Sequence, residues 1–90
     1  MNSVHRDIFR AIHEGKWLSI EYKNKEEKVT NYWIGIMNVN AAKGTLSVKG
    51  LHLGKYTIMQ FDQIYIESIC SSKIIEGSYF QVNEKLVEDI

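Results

Sequence analysis

The feature that most constrains the fold is a series of short segments in which apolar and polar residues alternate. The clearest of them, WLSIEY at 17–22, places Leu18, Ile20 and Tyr22 on one side of an extended chain. A period of two residues is typical of strands that bury one face. Since 90 residues are enough for one hydrophobic core, the sequence predicts a single small domain made mainly of β-strands.

The start of the chain departs from this alternation and has the period of an amphipathic helix. Over Ser3–Glu14 the apolar face consists of Val4, Ile8, Ala11 and Ile12. Gly15 follows directly, at the position where a glycine with positive φ ends many helices. We therefore predict one N-terminal helix over Ser3–Glu14.

The rest of the chain contains five predicted strands. They cover 17–22, 29–37, 45–53, 56–61 and 64–70, with connections at 23–28 and 38–44. In the third strand the alternation changes phase at Gly50, because the leucines after it fall out of step with Leu46 and Val48. A glycine at such a change predicts a β-bulge or a sharp bend.

The fourth and fifth predicted strands are separated only by Asp62 and Gln63. This connection is too short for a crossover, which leaves a tight antiparallel turn or a bent continuation of one strand. Neither residue is glycine, so a type I′ turn is disfavoured. We expect a bend in which Asp62 accepts hydrogen bonds from nearby backbone N–H groups.

One helix followed by about five short antiparallel strands is the pattern of a small SH3-like or Sm-like barrel. Closing the sheet into a barrel removes the exposed edges that short strands otherwise leave. We assign residues 1–80 to this barrel and its leading helix. Asn83 has the character of a helix cap, so 81–90 is predicted to begin a further helix or a linker, in a piece of a longer protein.

Composition narrows the class of protein. Cys70 is the single cysteine, which excludes an intrachain disulfide and a multi-cysteine zinc site and fits a reducing compartment. No apolar run reaches the roughly 18 residues of a membrane span, and the start has no signal-peptide pattern. We expect a cytoplasmic protein with no membrane partner. A formal net charge of zero argues against indiscriminate nucleic-acid binding.

The sequence carries no pattern typical of an enzyme. Cys70 lies in an apolar strand, where a thiol is ordinarily an inert small hydrophobe. The segment GLHLGK at 50–55 is one residue short of a phosphate-binding P-loop and lies on a predicted strand. His5 and His13 are two helical turns apart, which is too far for one metal ion. We predict a protein that is not an enzyme and that uses no cofactor or metal.

The order of the segments resembles that of the WYL domain family, whose members are Sm-like barrels. The likeness spans about residues 6–80 and is carried by AIHEGKWLSIEY, YWIGIMNVN, GTLSVKGLHL, QFDQIYIESI and SYF. Two motifs depart from the family. Its Trp-Tyr-Leu triplet is replaced by Gly44-Thr45-Leu46, and Gln63 stands where its signature has arginine.

The resemblance also implies a function. WYL domains occur in bacterial regulators and in fusions to helicases or nucleases, and a pocket in the family is linked to nucleic-acid or nucleotide binding. By this likeness the chain is a non-catalytic accessory domain, ligand-sensing or nucleic-acid-binding, within a larger bacterial protein that regulates or processes nucleic acid. The implied partners are single-stranded nucleic acid or a nucleotide-like ligand, and other domains of the parent chain.

Candidate contacts for such a ligand lie in the middle of the sequence. Between Asn31 and Gln60 there are three lysines and no acidic residue, and a basic strip is predicted from Lys43, Lys49, His52 and Lys55. Tyr32 and Trp33 are adjacent and point to opposite faces, so one of them is outward or covered by the helix. The predicted binding residues are Lys49, His52 and Lys55 for phosphates, Trp33 or Tyr32 for stacking on bases, and Gln63 for a polar contact.

The alternative is a structural or oligomerisation module without a ligand. In this interpretation the aromatic residues pack the barrel, the lysines solvate its surface, and copies associate through strand edges into a homo-oligomer. The two hypotheses differ in a measurable way. Binding predicts a salt-sensitive affinity that is lost on replacing Lys49 and Lys55 with glutamate, whereas oligomerisation predicts a concentration-dependent mass.

Overall fold

The computed structural model describes residues 3–80, apart from the side chain of Asp62. Its elements are α1 (Ser3–Glu14), β1 (Leu18–Lys23), β2 (Val29–Asn40), β3 (Thr45–His52), β4 (Thr57–Tyr65), a 3₁₀ helix (Ile66–Ser68) and β5 (Ile69–Ile74). The strands form one antiparallel sheet in the order β4-β3-β2-β1-β5. The predicted fold class, mainly β with an N-terminal helix in a small SH3-like or Sm-like barrel, is confirmed, but among the described residues β4 and β5 do not pair, so the sheet keeps two edges where full closure was expected. The helix or linker predicted at 81–90 lies outside the described residues.

The helix α1 has the predicted bounds and ends as its glycine indicates. Gly15 has a φ of 67°, and the N–H of Lys16 donates to the carbonyl of Ala11 at 2.9 Å. The helix buries Val4, Ile8 and Ala11 and packs mainly against β5. The apolar stripe of α1 therefore completes the core of the sheet.

The sheet curls around a single apolar core. Its buried members are Val4, Ile8, Ala11, Leu18, Ile20, Ile34, Ile36, Leu46, Val48, Ile64, Ile69 and Ile74. On β1 the alternation predicted from the sequence holds, since Leu18 and Ile20 are buried and Tyr22 packs partly buried against them. One face of each strand thus contributes side chains to the core, and the side chains on the opposite face of β1 to β4 point away from it.

Three β-bulges bend this sheet. Met37 on β2 has no partner on β3, and Cys70 on β5 has no partner on β1. On β4, Asp62 and Gln63 together lie opposite Ser47 of β3. An extra residue on one strand of a pair increases the local bend and twist, which allows five short strands to wrap around one core.

Of the β-bulge or sharp bend predicted at Gly50, the bulge is wrong. Gly50 pairs regularly with Ile34 on β2 and with Met59 on β4. Its missing side chain leaves room for Phe61, because a Cβ at this position would lie 3.3 Å from the Phe61 ring. The alternation of apolar residues changes phase after Gly50 for a different reason: Leu51 is an apolar residue whose side chain projects from the outer face of the sheet.

The bend expected at Asp62 and Gln63 is a bulge within one strand. β4 continues through this pair because Ile64 is buried and keeps Leu46 on β3 as its partner. The chain turns only afterwards, in the 3₁₀ helix, so β4 is longer and β5 starts later than the fourth and fifth predicted strands. The hydrogen bonds predicted for the side chain of Asp62 lie outside the described atoms.

Candidate binding surface

An apolar row crosses the outer face of three neighbouring strands. Trp33 on β2 pairs with Leu51 on β3, and Leu51 pairs with Ile58 on β4. Directly paired residues of antiparallel strands project from the same face. Trp33 is 40% exposed and Ile58 is 75% exposed, so the row presents apolar surface to solvent. We call Trp33, Leu51 and Ile58 the outer row.

Residues 75–80, which we call the closing segment, run beside the outer row. Trp17 fixes the segment through two hydrogen bonds. Its backbone N–H donates to Ser78 Oγ at 2.9 Å, and its indole Nε1 donates to the carbonyl of Tyr79 at 3.1 Å. These bonds hold Tyr79, whose side chain is largely exposed, next to Trp33 of the outer row.

Phe80 anchors the end of the closing segment. Its N–H donates to the carbonyl of Gly15 at 2.7 Å, and its ring packs edge-to-face on Trp17 with 5.0 Å between the ring centroids. The same ring covers Gly35 of β2, where a Cβ would overlap it. Glycine is required at position 35 because this aromatic ring lies directly against the backbone.

Ion pairs connect the start of the closing segment to α1. The Arg10 guanidinium lies 2.9 Å from a carboxylate oxygen of Glu14 and 3.1 Å from one of Glu76, and Lys16 Nζ donates to the Glu76 carbonyl at 2.6 Å. The hydrogen bond from Arg10, helped by its charge, holds the pKa of Glu14 below its usual range. Arg10 and both carboxylates are exposed, so these ion pairs contribute little to the stability of the fold. Their main effect is to hold Glu76, at the start of the closing segment, beside α1.

A groove of about 330 Å³, which we call the outer groove, lies between the outer row and the closing segment. It is lined by Trp17, Trp33, Gly50, Leu51, Ile58, Ser78 and Tyr79. Apart from Ser78, every side chain in this lining is apolar or aromatic. A groove of this character can hold a flat aromatic group against Trp33 or Tyr79.

Two lysines lie on the face of the sheet that carries the outer row, and a third lies in a connecting loop. Lys49 lies on β3 two residues before Leu51, so its side chain projects from the same face as the outer row. Lys73 on β5 pairs with Ser19 on β1, which pairs with Trp33, so this lysine extends the row in the other direction. Lys55 lies in the connection between β3 and β4. Within residues 3–80 none of the three ammonium groups is in an ion pair, so each is available to an anion.

Three of the predicted binding residues lie on the inner face instead. Tyr32 on β2 pairs with His52 on β3, and their rings meet edge-to-face with centroids 5.2 Å apart. Gln63 lines a cavity of about 160 Å³ together with Tyr32 and Phe61. This inner cavity has about half the volume of the outer groove, and the core residues Ile20, Ile34 and Ile64 form part of its lining.

The structure divides the predicted binding residues between the two faces of the sheet. The outer face carries Trp33 and Lys49, the inner face carries Tyr32, His52 and Gln63, and Lys55 lies in a loop. The backbone N–H of Lys55 donates to His52 Nδ1 at 3.2 Å. The strip from Lys43 to Lys55 is not continuous, because side chains three residues apart on a strand face opposite sides. Lys43 lies in the turn before β3, at the far end of that strand.

Sequence reasoning missed Leu51, Ile58 and Tyr79. The change of phase at Gly50 was the available signal for Leu51, because it marks an apolar residue on the outer face. Ile58 gives no such signal, since an apolar residue in an apolar strand is indistinguishable from a core residue. Tyr79 is held at the surface by hydrogen bonds that Trp17 donates to the Tyr79 carbonyl and to Ser78 Oγ, which no local pattern encodes.

No family model, no curated protein and no solved structure matches this chain. Within residues 3–80, no group of three or more histidine, cysteine, aspartate or glutamate side chains is placed to hold a metal ion. In the same range no helix has the length and apolarity needed to span a membrane. The resemblance to WYL domains stays a prediction drawn from the order of sequence segments.

Proposed function

We propose that this protein is a non-catalytic binding domain that takes single-stranded nucleic acid on the outer face of its sheet. The observation that carries the proposal is the outer groove, where the exposed Trp33 and Tyr79 lie beside lysines without ion-pair partners among residues 3–80. Domains that bind single strands combine aromatic platforms for the bases with cations for the backbone.

The spacing of the groups suits this chemistry. Two residues along a strand correspond to roughly 7 Å, so Lys49 reaches the surroundings of a base stacked in the outer groove. Lys73 approaches the same place from the opposite side of Trp33. A nucleotide in the groove therefore meets an apolar floor for its base and cations on two sides for its phosphates.

The wider role follows from the resemblance described above. A domain that binds single strands without chemistry of its own acts as an accessory to a larger bacterial regulator or to a nucleic-acid-processing protein. In that setting it holds or senses a strand while another domain acts. The inner cavity at Tyr32 and Gln63 is the competing site, but its smaller volume does not accommodate a base and its sugar as readily as the outer groove.

The test is a fluorescence anisotropy titration of labelled single-stranded DNA and RNA oligomers at low and moderate salt. Base stacking contributes about 1–3 kcal/mol per base, so we expect Trp33→Ala to weaken binding by about 5- to 150-fold. Trp33→Phe keeps a ring and retains most of the affinity. Removing one phosphate contact with Lys49→Glu makes the negative slope of log affinity against log salt shallower by about 0.7.

Lys43→Glu is the matched control. It makes the same change of charge, but Lys43 lies at the far end of β3 from the outer groove. We expect its affinity to stay within about twofold of the unmodified protein, apart from the small effect of net charge. Equal losses from Lys43→Glu and Lys49→Glu, or no binding at high micromolar protein, would contradict the proposal.

A further inference from the structure

The strand β4 forms one edge of the sheet, and its first half lacks the features that normally prevent an edge strand from pairing with another chain. Within residues 3–80 it pairs with β3 alone, so its other side presents backbone N–H and C=O groups without strand partners. The stretch Tyr56–Phe61 reads YTIMQF and contains no charged residue, proline or glycine. Such a stretch is a template for adding another strand.

The opposite edge of the sheet is protected. β5 reads ICSSKI, with polar residues in its centre and Lys73 near its end. Its bulge at Cys70 interrupts the regular ladder. A bulge, a lysine and polar side chains are the usual devices that prevent pairing at an edge. The contrast makes β4 the edge that is open to a partner and β5 the edge that is not.

The exposed side chains of β4 indicate what kind of strand fits. Ile58 is 75% exposed, and Met59 on the other face is 38% exposed; Tyr56, in the turn just before β4, is 80% exposed. A second strand laid along this edge gains apolar contacts only if it is itself uncharged and apolar at matching positions. The stretch Tyr56–Phe61 has that character, so it is a suitable partner for a copy of itself.

We infer that two copies of this protein form a symmetric dimer by antiparallel pairing of their β4 strands, with Ile58 directly opposite Ile58 of the second copy. A two-fold axis at this residue keeps the outer faces of both sheets on the same side. It also pairs Thr57 with Met59 across the interface, while Tyr56, which has a φ of 53° in the turn before β4, lies outside the paired stretch. The outer row of one copy then continues into the outer row of the other.

This register is favoured over its neighbours by hydrophobic pairing. Moving the axis to Met59 places the exposed Ile58 opposite the polar Gln60 instead of a second isoleucine, and it separates the two outer rows. Charge does not oppose the association, because the chain has a formal net charge of zero and the paired stretch carries none. The dimer does not depend on the proposed nucleic-acid function, since its contacts form without a ligand.

Cysteine cross-linking tests the register. In a Cys70→Ser background, Ile58→Cys is expected to form an intermolecular disulfide rapidly under mild oxidation, because directly opposed residues bring their Cβ atoms to about 4.5–5.5 Å. Gln60→Cys is the matched control on the same strand and face. In the inferred register its two copies lie four residues apart along the strand, roughly 13 Å, and do not cross-link. Cross-linking at position 60 in preference to 58 would overturn the register.

Analytical ultracentrifugation without nucleic acid tests the dimer itself. We expect the mass to rise with concentration from 10.5 kDa towards twice that value, and Ile58→Lys to hold it at 10.5 kDa at every concentration. Circular dichroism of Ile58→Lys must match the unmodified protein, as expected for a residue that is 75% exposed in the single chain. A mass of 10.5 kDa at all concentrations of the unmodified protein would overturn the inference and leave the binding proposal untouched.

Discussion

Replacing Gly35 with alanine tests whether the closing segment lies on the outer face as described. In the structure a Cβ at position 35 would lie closer than 3.0 Å to three atoms of the Phe80 ring, whereas ordinary contacts begin near 3.4 Å. The ring therefore has to retreat by about 1 Å to restore an ordinary contact. It cannot do so freely, because its other contacts are the Trp17 ring and the backbone bond to Gly15.

The expected cost follows from these contacts. Overpacking of a well-packed site typically costs about 1–3 kcal/mol, and alanine regains about 0.5–1 kcal/mol over glycine in a strand. Because the overlap at position 35 involves three ring atoms, the upper part of the overpacking range, about 2–3 kcal/mol, applies, and we expect Gly35→Ala to lower the free energy of unfolding by about 1–2.5 kcal/mol. Gly77→Ala is the matched control, since a Cβ at position 77 meets nothing within 4 Å and its φ is not positive. Its effect should stay within about 0.5 kcal/mol.

Urea unfolding followed by tryptophan fluorescence measures both variants, because Trp17 lies against Phe80 and reports its movement. A double-mutant cycle assigns the cost to the ring. In a Phe80→Ala background the clash is absent, so Gly35→Ala should become neutral or slightly stabilising. If Gly35→Ala costs nothing in the original background, or costs the same in both, the closing segment does not pack on β2 as described.

Two further predictions concern the frame around the binding surface. Gly44 has a φ of 67° in the turn before β3, and no atom lies within 4 Å of its Cβ position. Gly44→Ala should therefore lower the free energy of unfolding by about 1 kcal/mol through backbone strain alone, with Gly77→Ala again as the control. An unchanged midpoint of unfolding in urea would refute this prediction. Arg10→Gln removes the charged hydrogen-bond donor that does most to lower the pKa of Glu14, so an NMR titration should show that pKa rising towards its ordinary value. Because the folded pKa is depressed, the contribution of this pair to stability is present above pH 4.5 and is lost as the pH falls through the folded value. An unchanged Glu14 titration would contradict the pairing.

Much of the fold could be predicted because its determinants are local. The period of Ser3–Glu14 and the glycine after it fixed both ends of α1, and strict alternation at Leu18 and Ile20 identified the inner face of β1. The boundary between β4 and β5 could not be found in this way. Asp62 and Gln63 interrupt the apolar pattern as a turn does, but the ladder to β3 is kept on both sides of the pair. A bulge depends on pairing with a distant strand, which a local pattern does not contain.

The candidate surface was predicted less well, for a similar reason. Trp33, one of two alternatives for stacking, and Lys49 were both candidate binding residues in the sequence, and the structure places them on the same face of the sheet. His52 was grouped with Lys49 by closeness in sequence, although an odd spacing on a strand separates their side chains. Tyr79 joins the surface through the closing segment, whose position rests on hydrogen bonds between residues about sixty positions apart in the chain.

The most direct test of the central claim is a ¹⁵N NMR titration of the protein with a short single-stranded oligonucleotide. Trp33 and Trp17 each give a side-chain indole N–H signal, and both rings line the outer groove. Binding on the outer face predicts large shifts of the Trp33 indole and of the Lys49 and Leu51 amides, with little change at Tyr32 and Gln63. Shifts concentrated at Tyr32 and Gln63, or no saturable shifts at all, would contradict the account.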